Sequence, residues 1–161
     1  MLEFSTENYH FMTFDPNRLD HLKAQMYLNT DPDIRRYLGD SIEEFLEVPD
    51  QYSLNDAAFL VSRNDKIIGY VALFDYYRFL DMHYALLRSA RGFAFSKTES
   101  TGTSLIKETS SAVFKRTPAL DFIKLYINKN NINSMRAAQN AGFKLYGEVA
   151  DYNFEYRKYR P

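Results

Sequence analysis

The chain has 161 residues, 45% hydrophobic and 25% charged, so at about 150 residues per domain it is expected to form one domain over residues 1–161 with a true core. It has no cysteine, which excludes disulfides, thiolate-bound metals and a cysteinyl acyl intermediate, and His10, His21 and His83 lack metal-ligand spacing, so no metal is expected. The net charge of −1 hides an asymmetry: residues 1–60 carry 4 Lys/Arg against 12 Asp/Glu, and residues 61–161 carry 16 against 9. Halves facing different partners, with an anion at the second, explain this as well as mutual attraction of the halves does.

No apolar run approaches the roughly 18 residues of a membrane span. The opening MLEFSTENYHF has no basic patch ahead of an apolar stretch. Neither a secretory signal nor a membrane partner is expected, and the location expected is cytoplasmic.

In chain order, Leu2 to Phe14 reads as a first strand. Asp15 as N-cap and Pro16 at the first helical position open a helix whose apolar positions are Leu19, Leu22 and Met26, running through Leu28. A second helix begins near Asp31-Pro32, with Ile34 and Tyr37 on one face and Gly39 at its end. Ser41 to Val48 reads as a third, with Ser41 and Glu44 at capping-box spacing.

The period then changes to that of strands. Ala57 to Ser62 and Lys66 to Phe74 flank the turn Arg63-Asn64-Asp65 and form a hairpin, and Met82 to Leu87 is a further strand. Leu105 to Phe114 has helical spacing and is closed by Pro118, after which Phe122 to Ile127 alternates as a strand. Ile132 to Ala141 is a helix stopped by Gly142 at the left-handed cap. Phe143 and the terminal YNFEYRKY supply closing strands, and the whole is an α/β chain with a mixed central sheet flanked by helices.

Two segments carry a resemblance. Tyr126 to Phe143 (YINKNNINSMRAAQNAGF) and Asn29 to Gly39 (NTDPDIRRYLG), together with KIIGYVALF, resemble the GNAT N-acetyltransferase superfamily. Asn131, Ser134, Gly142 and Phe143 match the spacing of its ribosomal-protein N-terminal acetyltransferase subgroup. The resemblance implies a GNAT fold and an acetyl-CoA-dependent acyltransferase with acetyl-CoA as cosubstrate.

A pyrophosphate needs converging N–H groups and a positive field, which a glycine-containing loop at a helix N-terminus supplies. The family pattern there is Gln or Arg, two residues, Gly, one residue, then Gly or Ala. Aligned to it, Lys97 takes the basic position, Ser100 the first glycine and Gly102 the second, with Thr101 and Thr103 adding hydroxyls. The same stretch also reads as an N-cap rich in Ser and Thr. Ser96-Lys97-Thr98 is no nucleotide P-loop, because Arg91 and Ser96 stand where that motif requires glycine.

Acetyl transfer requires a neutral amine, and without cysteine it is expected to be direct. The resemblance places the base at the start of the strand Met82 to Leu87, where Asp81 and His83 flank Met82. It places Ser134 near the leaving thiolate and Asn131 near the cosubstrate, while the tyrosine many relatives use four residues before the closing glycine is Ala138 here. Ser134 and Asn131 read equally as helix-start caps. The acceptor amine is left open between a small molecule and a protein N-terminus, and a homodimer is compatible with all of this. No nucleic-acid partner is expected, since Arg157-Lys158-Tyr159-Arg160 reads as a solvated strand end. The rival reading is a non-catalytic acyl-CoA-binding or protein-interaction domain on the same fold.

Overall fold

The computed structural model describes residues 3–38, 57–92, 95–96, 98–150 and 153–161. Gly39, the helix expected over Ser41 to Val48 and Lys97 lie outside the described residues. The described elements are strands β1 (Glu3–Ser5), β2 (His10–Thr13), β3 (Ala57–Arg63), β4 (Lys66–Asp75), β5 (Phe79–Leu86), β6 (Phe122–Asn128), β7 (Lys144–Val149) and β8 (Asn153–Tyr159), with helices α1 (Leu19–Thr30), α2 (Pro32–Leu38), α3 (Thr101–Arg116) and α4 (Ile132–Asn140). The strand order is β1-β2-β3-β4-β5-β6-β8-β7. The β5–β6 pair is parallel, while β1–β2, β2–β3, β3–β4, β6–β8 and β7–β8 are antiparallel. By contacts the chain divides into two compact units, Met1–Leu73 with Tyr84–Arg91 and Phe74–His83 with Gly92–Pro161.

In the first unit, the single strand expected over Leu2 to Phe14 is a hairpin. The Thr6 N–H donates to the Tyr9 carbonyl at 2.9 Å, and Phe4 stacks on Phe11 at 4.2 Å, with the Phe59 edge against Phe4. The β3–β4 turn is as expected: Asn64 and Asp65 both have positive φ, 50° and 60°, the pair a type I′ hairpin needs.

Helix α1 starts later than expected. The Asp15 side chain accepts the Asn17 N–H and its carbonyl accepts the Arg18 N–H, so Asp15 closes a turn and Arg18 takes the N-cap position. Its buried face is also not the expected one. Leu19, Leu22 and Met26 are 65%, 42% and 52% exposed, and His21, Ala24 and Leu28 are buried instead. Both sets repeat at helical spacing; Ala24 is small, and His21 Nδ1 accepts the Asp15 N–H at 3.0 Å, which ties that face inward. Helix α2 begins where expected, and Asp31 caps it, accepting the Asp33 and Ile34 N–H groups.

The His21 contact carries a pH dependence. Since Nδ1 accepts, Nε2 holds the proton of the neutral ring, and burial pushes the pKa below the ordinary 6.5. The stabilisation is present above 6.5 and is lost as pH falls through the lowered native value, because only the unfolded chain gains the proton readily. The melting temperature should therefore drop as pH is lowered below 6.5. His21→Gln, which keeps an acceptor and cannot charge, should show a smaller drop in thermal melts across that range, and an unchanged pH dependence would refute the assignment.

In the second unit, β6 alternates between half-buried and buried residues, with Ile123, Leu125 and Ile127 inside. Ser100 caps α3, whose first turn starts four residues before the expected Leu105 because Thr101, Thr103 and Ser104 are buried with it. Helix α4 ends as expected: Gly142 has φ +90°, and the Phe143 and Gly142 N–H groups return to the carbonyls of Ala138 and Gln139. The basic tail is exposed at Tyr159 and Arg160, as expected of a strand end, but it is also tied to its neighbours. Lys158 donates to Ser110 Oγ at 2.7 Å, and the Arg160 guanidinium donates to the carbonyls of Phe114, Leu120 and Thr117, holding the chain end against the C-terminus of α3.

Candidate functional site

The site lies in the second unit, where β5 and β6 begin side by side and then part. Their pairing covers only Phe79 with Phe122, Leu80 with Ile123 and Asp81 with Lys124. Both strands continue past that point, β6 remaining paired to β8 through Asn128. Parallel neighbours in register project to one face, so Phe79, Asp81 and His83 share a face with Phe122, Lys124 and Tyr126. The opposite face holds Leu80, Met82, Ile123 and Leu125, all buried.

On the shared face, Lys124 Nζ sits 3.0 Å from Asp81 Oδ1 and donates to the Tyr126 hydroxyl at 2.8 Å. The Asp81 contact lacks hydrogen-bond alignment, so it is an ion pair rather than a directed bond. Lys124 also lies over the Phe79 ring at 4.3 Å, a cation–π contact that holds the ammonium in place. Asp81 is buried and committed to this cation, which leaves it poorly placed to take a proton from an amine. His83 is half-buried, its ring edge-on to Phe74 at 5.5 Å, and burial pushes its pKa below 6.5, so it stays neutral at physiological pH. Of the two residues flanking Met82, Asp81 is held by Lys124 and His83 carries the lowered pKa.

The loop ahead of α3 holds the other expected residues. Ser100 Oγ accepts the Thr103 N–H at 3.2 Å and lies 2.9 Å from Thr103 Oγ1. The Ser104 N–H goes to the Ser100 carbonyl, and none of these bonds uses the Gly102 N–H. Ser100 has φ −82° and ψ 157°, which any residue adopts, so the glycine missing there imposes no backbone strain. Thr101, Gly102 and Thr103 are buried in a 16-residue helix whose N-terminal dipole favours an anion.

Upstream, Gly92 and Ala94 have the spacing of the two small-residue positions of the glycine pattern, but Ser89 stands where the pattern has Gln or Arg. Gly92 has φ +71°, and a Cβ there would meet nothing within 4 Å.

At the far end of β6, Asn131 caps α4, its side chain accepting the Ser134 N–H at 3.2 Å. The local capping reading of Asn131 therefore holds. Ser134 spends its N–H on that cap, and its side chain is half-buried in the first turn of α4. Among the described residues no group of three or more His, Cys, Asp or Glu could hold a metal, and no helix is long and apolar enough to cross a membrane.

A sequence model of the acetyltransferase (GNAT) domain matches residues 12–144. The chain belongs to the GNAT acetyltransferase family. Its activity class is acetyl-CoA-dependent N-acetyl transfer. Among solved structures, the GNAT acetyltransferase from Bacillus anthracis is 14% identical with a TM-score of 0.72, over 98% of each chain. Campylobacter jejuni N-acetyltransferase PseH, in complex with acetyl coenzyme A, is 16% identical with a TM-score of 0.69, over 95% of this chain and 99% of that one. The ribosomal-protein-S5-alanine acetyltransferase from Vibrio fischeri is 15% identical with a TM-score of 0.70, over 99% and 97%. At these identities the GNAT fold is what they share. No curated protein matches the sequence.

Proposed function

We propose that this GNAT chain is a single catalytic domain that moves acetyl directly from acetyl-CoA to a primary amine within a ternary complex. The observation that carries the reading is the parting of β5 from β6 immediately after Asp81 and Lys124. It leaves an opening with a neutral histidine on one lip, in a chain that has no cysteine to form an acyl intermediate.

The cosubstrate fits the residues present. Its pyrophosphate suits the N-terminus of α3, where the Gly102 N–H and the Thr101 and Thr103 side chains gather, with Lys97 as the expected added charge. When bound, acetyl-CoA supplies an acetyl group activated as a thioester. His83 takes the amine proton, and a backbone N–H of β5 just past Asp81 stabilises charge on the carbonyl oxygen. Ser134, at the start of α4, donates a hydrogen bond toward the sulfur. Asn131 acts through Ser134, by fixing the turn that presents it.

The acceptor is a primary amine, either on a small molecule or at a protein N-terminus. The likeness to the S5-alanine acetyltransferase makes a peptide beginning with alanine the natural first member of a panel, beside spermidine and kanamycin. Acetyl-CoA at about 100 times its dissociation constant should raise stability by roughly 2.7 kcal/mol. A thermal melt without any such shift would remove the cosubstrate from the reading. A shift without release of free CoA from any amine would favour the non-catalytic acyl-CoA-binding domain.

A further inference from the structure

Departure of CoA leaves a thiolate that needs a proton, and the residues assigned so far supply none well. Ser134 offers an aliphatic hydroxyl, which holds its proton far more tightly than a thiol does. Phenols ionise near 10 and thiols near 8.5 in water, so a phenol is the better-matched donor.

The register points to such a phenol. Phe79 pairs with Phe122 and Asp81 with Lys124, so continuing the same parallel register sets His83 opposite Tyr126 across the opening. Both project to the same face, one from each lip. Tyr126 is half-buried, and its oxygen accepts from Lys124 Nζ at 2.8 Å, so its own O–H proton is not spent on that bond. The Lys124 ammonium, held by Asp81 at 3.0 Å and by the Phe79 ring, is placed to steady the negative oxygen left after the proton goes. Glu155, the cross-strand partner of Tyr126 on β8, is bound by Arg157, so its charge is already answered.

We propose that Tyr126 is the general acid of the reaction, facing His83 across the parted strands and poised by Lys124. This rests on the acetyltransferase reading above. In the step, the amine nitrogen forms its bond to the carbonyl carbon and the carbon–sulfur bond breaks. His83 accepts the amine proton and Tyr126 gives its phenolic proton to the sulfur. Solvent then reprotonates the phenolate and takes the proton from His83, so protons and charge balance with no further reactant.

The test measures free-thiol release from acetyl-CoA by the full chain, with the alanine peptide, spermidine and kanamycin as acceptors and water as the fallback. Tyr126→Phe should lower kcat about a hundredfold. The KM for acetyl-CoA should stay within about twofold of wild type and the melting temperature should be nearly unchanged, because only a proton is lost. A kcat within about twofold of wild type, or a loss confined to KM, overturns the proposal. Wild-type protein that neither releases CoA nor is stabilised by acetyl-CoA overturns the underlying reading instead, and with it this one.

Discussion

His83→Gln should lower kcat/KM for the amine by about a hundredfold to ten-thousandfold, the usual contribution of a positioned base, while acetyl-CoA still stabilises the fold. Glutamine keeps the size and hydrogen-bonding capacity of the side chain but takes no proton at working pH. The sign of the pH effect follows from burial, which sets the His83 pKa below 6.5. Referred to the concentration of neutral amine, wild-type kcat/KM should hold down through 6.5 and fall at lower pH as the imidazole charges, and that acid limb should disappear from the variant.

Asp81→Asn separates the two candidates flanking Met82. It strips the counter-charge from Lys124, whose side chain is only 13% exposed, so its main effect should be on the melting temperature. If His83→Gln leaves kcat/KM and its acid limb intact while Asp81→Asn abolishes both, the base is Asp81 and the ion pair must open during turnover.

The largest stability effect is expected at Gly69. A Cβ there would lie 2.1 Å from the Ala85 carbonyl oxygen, 3.0 Å from Leu86 Cα and 3.1 Å from the Ala85 carbonyl carbon. All three are backbone atoms, so no side chain can swing away to make room. The neighbourhood is also constrained: β3 and β4 shift register next to Gly69, where Val61 pairs with Gly69 and Ser62 with Ile67, and the Ile68 carbonyl accepts the Leu87 N–H at 2.8 Å. Gly69→Ala must push β5 off β4, and should cost about 4 kcal/mol or more, at the extreme for a single substitution. Urea unfolding monitored by circular dichroism reads this directly, and a loss below about 1 kcal/mol would mean the strands separate freely there.

In sequence, Gly69 is simply a glycine inside an apolar strand, a hint of a bulge or a close backbone approach. Which backbone approaches it is set by residues 16 and 17 positions further on, and no local pattern contains that. The same division runs through the whole chain. Features set by a residue's own backbone preferences or by its nearest neighbours were legible: the Asn64-Asp65 turn, the α2 start at Asp31-Pro32 and the Gly142 stop are all where the sequence places them. So were the alternation of β6 and the α/β order of elements that carries the family.

Features set by which surface meets which were not legible. Helix α1 offers two stripes at helical spacing, and the more apolar one faces outward because Ala24 and His21 make the closer contact. Asp81 and His83 were equivalent in sequence, two residues apart on one strand. They differ only because β6 sets Lys124 beside Asp81 and then ends its pairing with β5 before His83. Sequence alone determined the local elements and the residue types available for acetyl transfer. Tertiary structure decided that Asp81 is neutralised by Lys124, because strand register brings together residues more than 40 positions apart whose charges and burial then fix one another.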